Sequence, residues 1–376
     1  MKKILLAFGT RPEAIKMCPL VKELKNDKNI ELRVCITGQH KEMLAQVLDT
    51  FHVSPDYDLA IMKENQSLFD ITERVMAGMR DVLSKEKPDI VLVHGDTATS
   101  FAAALSSYYL KIPVGHVEAG LRTYNQWMPY PEEFNRQAVG ALADLHFAPT
   151  NSAKNSLIRE GKKEDRIFVT GNTVIDALKT TIRDDYSNEI VEWAAESRLV
   201  LLTAHRRENF GLPLRNMFEA IKNVIDSVED VKILYPVHKN PAIRKIADEI
   251  FGNEPRIRLE EPMNVVDFHN IMSRSYMVLT DSGGIQEEAP ALGKPVLVMR
   301  DTTERPEGVE AGTLKLVGTK KDTIEREFRK LLHDKSAYAQ MANAVNPYGD
   351  GQASSRIARI IKDFLERKCL GRGFAV

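Results

Sequence analysis

Thr280-Asp281-Ser282-Gly283-Gly284-Ile285-Gln286-Glu287-Glu288-Ala289-Pro290 follows an apolar run at 276–279 that reads as a buried strand, and it opens a segment at 285–292 that reads as a helix. A strand that turns through Ser-Gly-Gly into a helix leaves backbone N–H groups unpaired. It also aims the positive end of the helix dipole at one point, which makes a seat for a phosphate. Glu287 and Glu288 stand one turn in, where a carboxylate can reach ribose hydroxyls. The plainer reading is a helix start with Asp281 or Ser282 as N-cap and the glycines as turn residues. Both readings make this a β-turn-α unit.

Working outward, the same alternation runs almost from end to end. Short apolar runs at 4–9, 32–37, 90–95, 114–118, 145–148 and 167–170 alternate with helical patterns at 13–25, 41–51, 68–85, 98–110 and 131–141. After a polar, strand-poor stretch at 179–198 the pattern resumes, with strands at 199–203, 232–236, 257–259, 277–280 and 295–299. Helices fall between them at 214–228, 241–251 and 265–273, and an apolar-rich helix at 355–368 closes the pattern. Strand-helix-strand at this spacing means right-handed βαβ units and parallel sheets covered on both faces. The expected architecture is α/β, with two Rossmann-like halves joined near 170–198.

With 376 residues the chain exceeds the roughly 250–300 at which one core stops growing, which also favours two domains. A formal charge of -1, with 28% charged residues, gives no global reason to bind nucleic acid or anionic lipid. Cys18, Cys35 and Cys369 are few and lack metal-ligand spacing, and no His/Asp/Glu spacing matches a zinc site. Cys35, inside an apolar run, reads as a small buried hydrophobe. The opening Met1-Lys2-Lys3 followed by an apolar run is cut short by Gly9-Thr10-Arg11-Pro12-Glu13, so it reads as a first strand rather than a signal peptide. No stretch approaches the ~20 apolar residues of a membrane span. The expectation is a soluble cytoplasmic protein that binds neither membrane nor nucleic acid.

Ligands of open parallel sheets bind beyond the carboxyl ends of the strands, so polar residues directly after strands are the candidates, and with two sheets the expected site is an interdomain cleft. Gly9-Thr10-Arg11-Pro12-Glu13 places Arg11 at such an end, with Lys16 a turn later; the plain alternative is a capped helix with a solvated lysine. His94-Gly95-Asp96-Thr97, Glu118 and one of Glu132/Glu133 put three carboxylates at one edge of the first sheet. One carboxylate there would be an N-cap; three crowded together raise one another's pKa, as an acid or base near neutral pH requires. In the second half, His205-Arg206-Arg207 and His238 lie at strand ends, and Arg305 follows the next strand.

Gly9-Thr10-Arg11-Pro12-Glu13, His94-Gly95-Asp96-Thr97, Val117-Glu118-Ala119-Gly120-Leu121-Arg122-Thr123, Pro131-Glu132-Glu133-Phe134-Asn135-Arg136, His205-Arg206-Arg207-Glu208-Asn209 and Asp281-Ser282-Gly283-Gly284-Ile285-Gln286-Glu287-Glu288 occur in that order. Together they resemble the non-hydrolysing bacterial UDP-N-acetylglucosamine 2-epimerases, through nearly the whole chain. The resemblance implies the GT-B fold, with a last helix that crosses back onto the first domain. The boundaries expected are 1–171 plus 355–376 for the first domain and 172–354 for a second that binds UDP. It also implies interconversion of UDP-GlcNAc and UDP-ManNAc without any cofactor, by loss and re-addition of UDP, supplying cell-surface polysaccharide or capsule synthesis.

Carried over by resemblance, Asp96, Glu118 and Glu132 match catalytic carboxylates and His205 a catalytic histidine. Arg11, Lys16 and His205 would stabilise the leaving pyrophosphate. Ser282, Gly283 and Gly284 match its seat, Glu288 the ribose contact, and Phe268 and Arg305 further UDP contacts. Glu287 keeps the reading of a first-turn charge. Gln39, Gln66, Glu132, Arg206 and His238 match an activating UDP-GlcNAc site, and a homodimer that closes its domains on substrate is the family's expected form. The rival readings are a GT-B glycosyltransferase, a hydrolysing epimerase that releases ManNAc and UDP, and a non-catalytic nucleotide-sugar sensor.

Overall fold

The computed structural model describes residues 1–38, 41–63 and 66–369. They form two compact units, one of the residues up to 180 together with those from 349, the other of 181–348.

The first unit is built on a seven-stranded sheet: β1 (Lys2–Phe8), β2 (Ile30–Ile36), β3 (Tyr57–Asp58), β4 (Ile90–His94), β5 (Val114–Val117), β6 (Leu145–Ala148) and β7 (Ile167–Val169). Its order is β3-β2-β1-β4-β5-β6-β7, and every pairing is parallel. The second carries β8 (Arg198–Thr203), β9 (Val231–Pro236), β10 (Ile257–Glu260), β11 (Met277–Thr280), β12 (Val296–Val298) and β13 (Leu314–Leu316), ordered β10-β9-β8-β11-β12-β13 and again all parallel. Each chain order therefore reverses direction once, between β1 and β4 and between β8 and β11. At such a point the flanking helices leave on opposite faces and open a crevice at the strand ends.

The central strands read as continuous apolar runs because both faces are covered. In β1, Ile4, Leu5, Leu6, Ala7 and Phe8 are all fully buried. The second unit's core joins Val200 and Leu202 of β8 to Phe218, Ile221 and Val224 of the helix Leu212–Ser227. Cys35 is buried beside Met79, and burial pushes its thiol up to about 12. Two strands escaped the periodicity, β3 and β13, which have two and three residues. The strand-poor stretch at 179–198 holds the end of the helix Thr173–Thr181 and the helix Glu189–Ala194.

The division falls at 180 and 349, whereas the sequence reading set it at 171 and 355. Asp176, in the helix Thr173–Thr181, explains the difference. Its carboxylate accepts the N–H groups of Ala353 (3.1 Å) and Ser354 (2.8 Å), which caps the last helix, Ala353–Cys369. That helix packs on the helix Arg11–Lys25, and Lys362 pairs with Asp27 at 2.9 Å. Among the described residues no helix is long and apolar enough to cross a membrane.

Candidate functional site

In the first unit the crevice-forming pair β1 and β4 is held at its ends by Glu13. Thr10 caps the helix Arg11–Lys25 and forms a capping box with Glu13. The Glu13 carboxylate accepts the N–H groups of Gly9 (3.0 Å) and Thr10 (2.8 Å), and the hydroxyls of Thr97 (2.7 Å) and Ser100 (3.1 Å) from beyond β4. Burial raises its pKa against the pull of those bonds. The backbone comes so close here that a Cβ on Gly9 would lie 1.9 Å from the Thr37 hydroxyl. Arg11 is half-buried at the first position of that helix.

Lys16, a turn further on, is not a solvated lysine. It is ion-paired with Glu118, both side chains being largely buried. Glu118 follows β5 in the left-handed region, φ +63°, a conformation costing of order 1–3 kcal/mol that clusters at functional sites. Asn172 donates to the same carboxylate oxygen at 2.7 Å, and His94 Nε2 stands 3.8 Å from it. Burial pushes the His94 imidazole down to about 4, so it is neutral near pH 7.

Asp96 follows β4 by one turn residue. Arg136 donates to its carboxylate at 2.5 Å, and Asn135 to its carbonyl at 2.9 Å. Its pKa is raised, first by burial and then by the charges of Glu118 and Glu132, with Arg136 opposing. The adjacent glutamates thus divide. Glu132, opening the helix Glu132–Leu142, adds its charge to Asp96. Glu133 is fully buried and holds the backbone N–H groups of Thr123 (3.0 Å) and Tyr124 (2.9 Å).

In the second unit the reversal point lies between β8 and β11, and here the stretch from Thr280 differs from its reading. Neither Asp281 nor Ser282 caps the helix; Gly284 is its N-cap, and the helix Ile285–Ala291 has no side-chain cap. Asp281 is fully buried and turns to the loop after β8. It accepts the N–H of His205 (2.9 Å) and of Arg206 (2.8 Å), and the amide of Asn209 (3.2 Å). The Ser282 N–H is also engaged, by the Thr280 hydroxyl at 2.9 Å. The N–H groups of Gly283 and Gly284 donate to no acceptor among the described residues.

Gly283 lies against a cluster of arginines. A Cβ there would sit 2.8 Å from Glu304 Oε1 and 2.9 Å from an Arg305 terminal nitrogen. Glu304 is shared by Arg300 (2.7 Å), Arg305 (2.9 Å) and Arg206 (3.2 Å). Burial works against its ionisation, but the three guanidiniums prevail and hold it at about 2. Glu287 is a first-turn charge, and it is buried: it is 1% exposed and pairs with Arg305 at 2.7 Å. Glu288 is 3.3 Å from His269, whose other ring nitrogen bonds the Thr181 hydroxyl at 2.7 Å. Phe268 precedes His269 on the helix Val265–Arg274, with the two ring centroids 6.4 Å apart. His205 stacks on His238, ring centroids 5.9 Å apart, and its pKa is lowered by burial and then by Arg206 and His238, against the pull of Asp281.

The residues matched to an activating site are divided: Gln66 and Glu132 in the first unit, Arg206 and His238 in the second, while Gln39 lies outside the described residues. Among the described residues no cluster of His, Cys, Asp and Glu could hold a metal ion. Sequence reasoning did not single out Asn172, Arg136, Arg300 or Glu304. Of these only Arg136 carried a signal, because it stands one turn after Glu132-Glu133 on the same helical face.

A family model described as UDP-N-acetylglucosamine 2-epimerase matches residues 22–362. The UDP-N-acetylglucosamine 2-epimerase of Bacillus subtilis is 58% identical over 355 residues, covering 94% of this chain and 93% of that one. Among solved structures, the S. aureus MnaA–UDP complex has 51% identity and a TM-score of 0.90, with 97% of each chain covered. UDP-GlcNAc 2-epimerase from Neisseria meningitidis bound to UDP-GlcNAc has 48% identity and a TM-score of 0.88, over 96% of this chain and 100% of that one.

Proposed function

This chain belongs to the UDP-N-acetylglucosamine 2-epimerase family, and we propose that it interconverts UDP-GlcNAc and UDP-ManNAc by eliminating UDP to 2-acetamidoglucal and adding it back. The C2 proton of the sugar is not α to a carbonyl, so its direct removal gives no stabilised carbanion. Elimination across C1–C2 avoids that intermediate. One group takes the C2 proton as the C1–O bond breaks, UDP leaves with the bonding pair, and return of a proton from the opposite face inverts C2. No redox cofactor is called for.

The observation that carries this reading is the pair of unlike carboxylates in the first unit. Two ionisable groups whose surroundings push them apart mark an acid and a base. Glu118 accepts from Lys16 and Asn172, partners that suit an ionised base. Asp96 is held toward its protonated form by burial and by the charges of Glu118 and Glu132, and it supplies the proton. Arg11, Lys16 and neutral His205 would meet charge developing on the leaving pyrophosphate. In the second unit Gly283, Gly284, Ser282 and Arg305 would retain UDP, with Glu288 on the ribose and Phe268 on the base. The UDP and UDP-GlcNAc bound by the S. aureus and N. meningitidis relatives support UDP-GlcNAc as the ligand. The product would serve cell-surface polysaccharide synthesis in the cytoplasm. We further read the enzyme as a homodimer activated by UDP-GlcNAc, with sigmoidal kinetics as the sign of activation.

The test is incubation with UDP-GlcNAc in D2O followed by NMR. The expected result is deuterium at C2 of UDP-ManNAc with little free sugar. Stoichiometric free ManNAc would instead make the enzyme a hydrolysing epimerase, and no reaction without an added acceptor would make it a transferase.

A further inference from the structure

Asn172 lies just before the helix Thr173–Thr181 and is 2% exposed. The two ends of its amide do different work. The oxygen accepts the N–H of Val174 at 3.1 Å, as the acceptor at a helix start does. That bond settles which way the amide points, so the nitrogen faces Glu118 and donates to Oε2 at 2.7 Å. The Lys16 ammonium reaches the same oxygen. The other carboxylate oxygen, Oε1, is turned toward Gly95, where a Cβ would lie 3.5 Å away.

We infer that Asn172 is a positioning residue for the reaction: a built-in donor to Oε2 that holds Glu118 in one rotamer and favours its ionised form. The inference rests on the reading of Glu118 as the base. The geometry shows why a neutral amide is suited to this place. Glu118 is faced by Lys16 from the helix Arg11–Lys25, by His94 at the end of β4 and by the Asp96 charge just after it. A second cation here would bring the proton of a competing acid, and a carboxylate would repel Glu118. A hydroxyl would keep the helix cap and lose the reach to Glu118. An amide provides both contacts and has no titration of its own.

Two substitutions separate positioning from structure. Asn172→Asp and Asn172→Ser both keep a side-chain oxygen for the Val174 N–H, and both are good N-cap residues, so Asn172→Ser should melt close to the parent, whereas Asn172→Asp, which sets a second buried carboxyl against Glu118, should melt lower. Both remove the donor to Glu118. Losing a hydrogen bond to a charged group should lower kcat on the order of 10-fold or more, with KM little changed. In Asn172→Asp the new carboxyl beside Glu118 should also move the acidic limb of the kcat/KM profile upward by roughly one pH unit. Asn172→Ser should move the limb in the same direction and less.

Superimposable pH profiles with parental kcat, or activity lost only in step with melting temperature, would overturn the inference. Glu118→Gln is the control for the reading beneath it. An inactive Glu118→Gln beside unaltered Asn172 variants rejects the positioning role alone. Parental turnover in Glu118→Gln rejects Glu118 as base and the inference with it.

Discussion

The two units share one backbone plan and set unlike side chains on it. In both, six strands run in the same 3-2-1-4-5-6 sense and the chain reverses between the first and fourth of them. In both, a buried carboxylate fastens the loop ends at that point: Glu13 ties the segments after β1 and β4, and Asp281 those after β8 and β11. Beyond these anchors they diverge. The first unit gathers Asp96, Glu118 and Glu132 with Lys16 and Arg136. The second gathers Arg206, Arg300 and Arg305 on Glu304, next to Gly283 and Gly284. The lesson is that a parallel sheet fixes where a site is, while the residues after its strands fix whether carboxylates or guanidiniums line it.

The sharpest way to break this comparison is to cross it. Asp96→Asn should lower kcat about 10²–10⁴-fold, the contribution of a placed acid or base, while binding of UDP measured by calorimetry stays near the parental value. Parental turnover would show that the first unit's carboxylates are not the proton-transfer groups.

Arg305→Ala should act through the other unit. It should weaken UDP binding and raise KM more than it lowers kcat. Because it withdraws an ion pair from a carboxylate that is 1% exposed, it should also cost about 3 kcal/mol of stability. Arg305→Ala with Glu287→Gln should recover part of that loss, read from the unfolding midpoint, without recovering UDP affinity.

A last way to separate the units is by pH. His94, His116 and His146 sit on the adjacent strands β4, β5 and β6, and burial holds them down to about 4, about 3 and about 4. A histidine whose folded pKa lies below its unfolded value takes up protons on unfolding. Stability is therefore full above about pH 6.5 and falls as pH drops toward 4, by on the order of 2–3 kcal/mol for each group. Thermal unfolding from pH 7 to 4.5 should show the first unit weakening. Replacing His146 by Gln should flatten that fall by about a third, one of the three buried imidazoles.

What was legible in the sequence follows from range. Strands β6 and β11 were readable to the residue, because a short, mostly apolar run between turn signals leaves little choice of boundary. Strands β3 and β13 were not, because two or three residues carry no period. Residues at strand ends were legible as candidates because βαβ geometry places them there, and Asp96, Glu118 and His205 were found that way. Their partners come from distant positions: Asn172 is 54 residues from Glu118, and Arg206 is 98 from Glu304. Local pattern is silent on such pairs.

The opening stretch divides along the same line. By itself the sequence determined that a buried strand turns through glycines into a helix, since that depends only on the order of apolar, turn and helical residues. Only the tertiary structure decided what each polar residue does there. Asp281 faces the loop after β8 rather than its own helix, Glu287 faces Arg305 rather than water, and Glu288 faces His269. The physical reason is burial: a carboxylate removed from water takes the donors that the fold brings to it, and those donors lie far away in the chain.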